Sequence, residues 1–302
     1  MNKYSITVLL CYVLWGLLPI FWKLLGAVDS MYILACRSVW SLAAGIAGVL
    51  AARQLGELRA VFSDRATVRI LAVAALLLTV NWGSYIWCVN NGHVLDASLA
   101  YYINPILTIL AGAVIYKEKL TRLQWLSVAL AAAGVIYPMI AEGQFPYLAV
   151  MMAATFAVYG VIKKKLSVPS GVSISAEMLF VLPFALALIA VMEARGNGAV
   201  ASGALSGWSL LLLPAAGIVT YIPLALFSYG VRGTSLSLTG ILMYINPTLQ
   251  LIIGVTLYGE ELTRTKIVTF IFVWAAVIFF VISGRAAHRE HASAEVKGTI
   301  NA

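Results

Sequence analysis

Four charged side chains lie inside or at the edge of long apolar stretches, where an unpaired charge is costly. Arg37 lies about 10 Å along one stretch at 1.5 Å per residue, and Asp96 opens another. Glu177 and Arg232 occupy comparable places in the second half. Because a charge at this depth should be paired or face water, the sequence predicts two gating ion pairs, Arg37 with Asp96 and Glu177 with Arg232. The alternative is that each side chain extends separately to the polar surface.

Polar residues recur at helical spacing within two apolar stretches. Steps of three and four residues place them on one face of an α-helix. The two faces carry Tyr101, Asn104 and Thr108 in the first half of the chain, and Met243, Asn246 and Gln250 in the second. Two such faces can meet across a cavity that binds a small molecule. The alternative is that their amides only hydrogen-bond neighbouring helices, at about 1 kcal/mol per contact.

An Asn-Pro pair interrupts each polar face. Pro105 and Pro247 remove a backbone donor and crowd the carbonyl four residues earlier, which predicts a bend in each helix. Lipid does not tolerate unpaired backbone groups, whereas a protein-lined cavity does, so the prolines favour the cavity. Further candidates for its lining, with simple packing as the alternative, lie deep in other stretches: Trp15, Asn81, Tyr85 and Tyr159.

The two polar faces belong to one duplicated segment. Residues 102–122 and 244–264 align without a gap at a constant offset of 142, and 11 of the 21 positions are identical. Five apolar stretches fall in each half, so the second copy would enter the membrane in inverted orientation. The sequence predicts a first repeat over 1–142, a second over 143–285, and a disordered cytoplasmic tail over 286–302.

The composition indicates the environment of these elements. Of the 302 residues 62% are hydrophobic and 11% are charged, and the mean hydropathy is +0.95. A chain of this length then has too little polar surface to enclose a water-soluble core. Ten apolar stretches predict an all-α polytopic membrane protein with ten transmembrane helices. The stretches are 4–24, 30–52, 68–90, 95–116, 121–140, 146–163, 173–194, 208–230, 235–258 and 263–284.

The basic residues favour one orientation in the membrane. With a cytoplasmic N-terminus, 15 of the 20 lysines and arginines fall in cytoplasmic segments and 4 fall outside. This asymmetry explains the net charge of +8 as a topology signal, so no nucleic-acid partner is expected. The expected location is the inner membrane, with both termini cytoplasmic and membrane lipids around the helices.

Several motifs together resemble a known family. They are Asn81-Trp82, Asn90-Asn91-Gly-His93, Asp96-Ala-Ser-Leu, Tyr102-Ile-Asn104-Pro105, Tyr159-Gly160 and Tyr258-Gly-Glu260. With them the chain resembles the RarD group of EamA-type proteins, in the drug/metabolite transporter superfamily, over nearly its whole length except the tail. The resemblance implies two inverted five-helix EamA repeats, with helices one to four and six to nine around a central cavity. Members are often labelled chloramphenicol-sensitivity proteins.

No enzyme signature is present in the sequence. It lacks a G-x-x-x-x-G-K-[ST] phosphate loop, an H-E-x-x-H zinc motif and a G-x-S-x-G nucleophile turn, so no cofactor or metal is expected. The expected function is secondary active transport, by alternating access, of a small amphipathic or aromatic metabolite or drug, with efflux as the expected direction. A proton or counter-solute would drive it, with Asp96, Glu177 and His93 as titratable candidates. The alternatives are a lipid flippase or scramblase and an intramembrane enzyme, and the oligomeric state is left open.

Overall fold

The computed structural model describes residues 2–91, 94–142 and 145–300, with side chains for 2–88, 91, 97–140 and 145–283. Over these residues the chain is helical and contains no strand. Two short 3₁₀ helices, Gly207–Leu211 and Val231–Gly233, flank the ninth α-helix. The α-helices are α1 (Lys3–Leu24), α2 (Ser30–Ala51), α3 (Leu55–Ser63), α4 (Arg65–Asn90), α5 (Val94–Ile115), α6 (Arg122–Glu142), α7 (Tyr147–Lys165), α8 (Ser170–Ala194), α9 (Leu212–Gly230), α10 (Leu236–Met243), α11 (Ile245–Tyr258) and α12 (Arg264–Ile300).

Ten helical segments are long and apolar enough to cross a membrane, within the part of the chain that the structure describes. The ninth span, Leu236–Tyr258, combines α10 and α11, and α3 is a short additional helix between the second and third spans. The predicted all-α architecture with ten transmembrane helices is confirmed. The helix α3 was not predicted, because its nine residues are too short to register as an apolar stretch.

Side-chain caps determine where several helices begin. Asn2, Asp29 and Asp64 precede α1, α2 and α4, and each accepts backbone N–H groups two or three residues further on. These bonds satisfy donors that the first helical turn otherwise leaves unpaired, which stabilises each helix by about 1 kcal/mol. The caps lie at the ends of the apolar stretches, so local sequence sets these boundaries.

Equivalent contacts recur with the two repeats exchanged. The Tyr116 hydroxyl donates to the Val161 carbonyl at 2.8 Å, and the Tyr258 hydroxyl donates to the Pro19 carbonyl at 3.1 Å. The two donors (258 − 116 = 142) and the two acceptors (161 − 19 = 142) are related by the repeat offset. Helix packing shows the same relationship between the repeats. The contact of α1 with α9 has its equivalent in the contact of α7 with α4, whereas α5 packs on its own equivalent α10, and α6 packs on its own equivalent α12. The chain therefore forms two inverted repeats.

The ninth span is interrupted close to its Asn-Pro pair. α10 ends just before Tyr244 and α11 begins just after it. The Tyr244 N–H donates a hydrogen bond to the Ile241 carbonyl three residues back, as in a 3₁₀ turn. Pro247, which lacks a backbone donor, lies within one turn of this point. The equivalent helix α5 continues past Pro105 as a single helix. The shared motif thus interrupts one copy of the helix and leaves the other continuous.

The last helix extends beyond its membrane span. α12 runs to Ile300, so the backbone is helical over 286–300, where the sequence predicts a disordered tail. This segment contains four alanines and two glutamates, which are good helix formers even without tertiary contacts. Its side chains lie outside the described residues, and the disorder of the tail stays a prediction.

Candidate binding cavity

A cavity of about 190 Å³ lies between the two repeats. We call the side from which α1 starts the N-terminal face, and the other side the opposite face. Most lining residues of α1 and α4 fall in the later halves of these helices, and those of α5 and α7 fall at or before the middle, so the cavity lies nearer the opposite face. They are Tyr12, Trp15, Leu18, Pro19, Trp22, Arg37, Asn81, Trp82, Tyr85, Ile86, Ala100, Tyr101, Asn104, Met152, Ala153, Phe156, Met243, Asn246 and Gln250.

Most of the predicted lining residues surround this cavity. Thr108 and Tyr159 do not line it, because both lie about one turn nearer the N-terminal face, where the helices pack closely. Thr108 is 2% exposed and Tyr159 is 0% exposed. The predicted residues that the structure places around the cavity are Trp15, Asn81, Tyr85, Tyr101, Asn104, Met243, Asn246 and Gln250.

Aromatic residues of α1 form one side of the cavity, and two of them were not among the predicted lining residues. Tyr12, Trp15, Pro19 and Trp22 follow one another at steps of three, four and three, which is one helix face. Trp22 was assigned to the membrane interface, where an aromatic near a helix end is typical, and Tyr12, in the middle of α1, was not singled out. The periodicity along α1 was the signal that could have identified them.

The amides of the two polar faces hydrogen-bond mainly within their own helices. Thr108 Oγ1 donates to Asn104 Oδ1 at 3.3 Å, and in the equivalent positions Gln250 Nε2 donates to Asn246 Oδ1 at 2.7 Å. Asn81 differs, because its Nδ2 donates to the Met152 carbonyl of α7 at 2.7 Å. Each amide can make more bonds than these, so both polar faces retain capacity for a bound molecule.

Arg37 places a guanidinium group in the cavity wall. Its Cζ lies 3.8 Å from the ring centroid of Trp82 and 5.5 Å from that of Trp22, both within cation–π distance. Its Nε is buried and has no hydrogen-bond partner among the described residues. The predicted partner Asp96 has its side chain outside the described residues, so that gating pair stays a prediction. Within the described side chains, aromatic rings rather than a carboxylate hold Arg37.

Glu177 has a different partner from the one predicted. Lys163 Nζ lies 2.5 Å from Glu177 Oε1, and both side chains are 0% exposed. Ser173 Oγ donates to the same oxygen at 3.0 Å, and the Tyr159 hydroxyl donates to Oε2 at 3.0 Å. Arg232 makes no ion pair with Glu177, and its Nε and Nη2 have no hydrogen-bond partner among the residues that the structure describes. The pairing of Glu177 with Arg232 is therefore corrected to Lys163.

The short connection between α7 and α8 explains this pairing. Lys163 lies in the last turn of α7 and Glu177 in the second turn of α8, and only 166–169 separate the helices. In an antiparallel hairpin with so short a turn, these two positions face each other. The run of three lysines at 163–165 predicted only orientation in the membrane, so the buried role of its first member was missed.

A cluster of five aromatic rings fills the bundle between the cavity and the N-terminal face. Neighbouring ring centroids lie 5.3 to 6.3 Å apart, within the range of favourable aromatic pairs. We call this cluster the aromatic seal. Its members come from α1, α7 and α9: Tyr12, Trp15, Phe156, Tyr159 and Phe227. Because three of them are 0–1% exposed, the cavity is closed toward the N-terminal face.

Glu118 joins the two repeats at the N-terminal face. Its carboxylate accepts the backbone N–H groups of Leu236 at 2.7 Å and Ser237 at 2.9 Å, at the start of α10. The Ser237 hydroxyl donates to it as well, at 2.5 Å. The equivalent residue of the second repeat, Glu260, is 54% exposed and pairs with Lys266 at 3.3 Å. Glu118 therefore links the two repeats through three hydrogen bonds, whereas the carboxylate of Glu260 is largely exposed to solvent.

Comparison with known proteins agrees with this architecture. The EamA-like transporter family matches residues 2–139. The "Uncharacterized transporter YojE" of Bacillus subtilis is 40% identical over 277 residues, 90% of this chain and 91% of that protein. "Protein RarD" of Salmonella typhi is 36% identical over 282 residues, 93% of this chain and 95% of that protein. The "Chloramphenicol-sensitive protein RarD" of Pseudomonas aeruginosa is 30% identical over 270 residues, 88% and 89% of the two chains.

One solved structure supports the fold separately. A chain described as "Crystal structure of protein" superposes with a TM-score of 0.73 at 20% identity, over 94% of this chain and 99% of that one. Ten apolar helices in two inverted repeats around a central cavity define a multi-pass membrane transporter. With relatives of 36–40% identity over most of its length, the chain belongs to the RarD-type EamA transporters.

Proposed function

We propose that this protein is a secondary active transporter that moves a small amphipathic or aromatic solute by alternating access. The observation that supports this most directly is the cavity between inverted repeats, which lies in one half of the bundle and is sealed from the other. Transporters of this architecture bind substrate at the repeat interface, on interrupted helices such as α10 and α11. With no phosphate loop in the sequence, transport would use a solute or proton gradient rather than ATP directly.

Closure at the N-terminal face would depend on two sets of contacts. The bonds from Glu118 to the start of α10 hold the repeats together, and the aromatic seal fills the space between them. The buried Lys163–Glu177 pair fixes the α7–α8 hairpin and, through the Tyr159 hydroxyl, one ring of the seal. Opening this face would then require separation at Glu118 and displacement of the seal.

A proton is one candidate driving partner, and of the three titratable candidates Glu177 is the one whose side chain the structure describes. Its carboxylate holds Lys163 and the Tyr159 hydroxyl, so a change that removed its charge would loosen the seal. A counter-solute competing for the cavity is the other possible driving partner. His93 and the Asp96 side chain lie outside the described residues, and their titration stays a prediction.

The proposed direction is efflux across the inner membrane. The basic residues favour a cytoplasmic N-terminal face, which would make the present arrangement closed to the cytoplasm. The Pseudomonas aeruginosa relative is named a chloramphenicol-sensitive protein, which supports a link to small aromatic compounds. The proposal of efflux rests on this relationship.

The experiment is a thermal-shift screen of the purified protein against metabolites and drugs, followed by counterflow of the hits in proteoliposomes. Trp15→Ala, in the cavity wall, should abolish saturable flux. Trp208→Ala is the matched control, because Trp208 is 88% exposed and outside the cavity. Absence of flux for every hit under any gradient would refute the transporter proposal. Inversion of fluorescent lipids in the same vesicles without solute flux would instead favour the flippase or scramblase alternative.

A further inference from the structure

We infer that the transported solute is an aromatic or amphipathic anion, and that Arg37 binds its anionic group. This inference rests on the proposed transport function and specifies its substrate class. It follows from the charge of the cavity wall, from the way Arg37 is held, and from the chemistry of the surfaces beside it.

The cavity wall carries a positive charge that its described side chains do not neutralise. Among the lining residues that the structure describes, Arg37 is the one that carries a charge, and it forms no ion pair with any described carboxylate. A guanidinium in a largely apolar wall attracts an anion more strongly than one in bulk water, because the low dielectric constant of the surrounding protein screens the charge less. A carboxylate also matches the planar fork of its N–H donors.

The contact of Arg37 with Trp82 does not use up the hydrogen-bond donors of this fork. The guanidinium carbon lies 3.8 Å from the ring centroid, whereas hydrogen bonds to a carboxylate form in the plane of the group. The side chain is partly exposed and lines the cavity, so a ligand oxygen in the cavity can approach it. The buried Nε also has no described partner, and leaving a charged donor group unpaired is costly, so a ligand that accepts from the guanidinium would be favoured.

The other walls fit the remainder of such a molecule. Trp15 and Phe156 offer aromatic faces at the sealed end, and Asn246 and Gln250 offer amide groups across the cavity. Aromatic walls alone would also suit an organic cation, through cation–π attraction. Arg37 decides between these two classes, because its charge repels a cation and attracts an anion.

The test uses three indole compounds that differ mainly in charge: indole-3-acetate, indole-3-acetamide and tryptamine. Counterflow of each is measured in proteoliposomes at neutral pH. The wild-type protein should move the carboxylate at least tenfold faster than the amide, and tryptamine most slowly. Arg37→Gln should bring the carboxylate-to-amide ratio close to one while amide flux persists, and Arg37→Lys should give an intermediate ratio.

Arg195→Gln is the matched control, because it removes a positive charge near the opposite face but outside the cavity. It should leave the wild-type ratio unchanged. Equal wild-type rates for the three compounds, a ratio that survives Arg37→Gln, or transport of neutral solutes alone would each overturn the anion inference while leaving transport intact. Failure to move any solute would refute the transport proposal itself. If Arg37→Gln does not fold, the wild-type and Arg37→Lys ratios decide.

Discussion

Tyr244 contacts its own repeat equivalent, Tyr102: the Tyr244 hydroxyl donates to the Tyr102 carbonyl at 3.3 Å. The two residues are 142 positions apart (244 − 102 = 142), which is the repeat offset. A residue can contact its own copy only near the axis that exchanges the two copies. The pseudo-twofold axis therefore passes close to Asn104 and Asn246, two residues further along each helix, and both line the cavity.

The buried Lys163–Glu177 pair predicts a large effect of neutralising one partner. Glu177→Gln leaves a buried ammonium without its counter-charge, so the free energy of unfolding should fall by about 3 kcal/mol. The same change should loosen the aromatic seal beside Cys11, which is fully buried. Labelling of Cys11 by a thiol reagent, in a background with Cys36 and Cys88 replaced by alanine, should become faster.

Two variants separate charge from simple loss of packing at this pair. Replacing both Lys163 and Glu177 by methionine removes both buried charges and should recover most of the stability. Tyr159→Phe removes only one hydrogen bond to Glu177 and should cost about 1 kcal/mol. If Glu177→Gln is as stable as the wild type and Cys11 stays unreactive, this charge pair does not hold the seal.

Glu118 and Glu260 are repeat equivalents with different surroundings, so the same substitution should have different effects. Glu118→Gln weakens two backbone bonds and a hydroxyl bond at the start of α10, and should lower the free energy of unfolding by about 1–2 kcal/mol. Glu260→Gln removes a half-exposed ion pair and should cost under about 1 kcal/mol. Chemical unfolding in detergent compares the two variants, and equal losses would contradict the inter-repeat role of Glu118.

Gly217 is a close-packing point between α9 and α2. A Cβ built there would lie 2.3 Å from the backbone carbonyl carbon of Trp40, closer than real side chains approach backbone. Gly217→Ala should therefore force the helices apart and cost at least about 1–3 kcal/mol, seen as a lower unfolding temperature. Gly83→Ala is the control, because nothing lies within 4 Å of its added Cβ, and it should be neutral or stabilising by up to about 1 kcal/mol. Equal unfolding temperatures for the two variants would show that the helices can adjust.

The interruption of the ninth span predicts unequal effects of the two repeat-related prolines, Pro247 in that span and Pro105 in α5. Pro247→Ala restores a backbone donor one turn after Tyr244, so α10 and α11 should join more closely and the protein should gain stability. Its transport rate should fall, because the interrupted helix lines the cavity. Pro105→Ala, in the continuous helix α5, should change the rate less. Initial transport rates in proteoliposomes measure both variants. A larger loss of rate in Pro105→Ala would show that the proline of α5, rather than that of the ninth span, matters more for transport.

The sequence by itself determined the architecture of this protein. Ten apolar stretches, one constant offset of 142 and an odd number of spans per copy are properties of the linear chain, so they predict the membrane fold and the inverted repeats. Helical spacing likewise predicted which face of α5 and of the ninth span would carry Asn104 and Asn246 to a common cavity.

The tertiary structure decided how deep each side chain lies in the helix bundle and which side chain it contacts. Thr108 lies on the predicted face but one turn too far toward the N-terminal face, and Glu177 pairs with Lys163 rather than with Arg232. Both outcomes depend on the relative rotation and vertical offset of packed helices, which side-chain packing sets and a linear pattern does not contain. The exposure of Arg37 to the cavity, on which the proposed substrate class rests, is a property of the same kind.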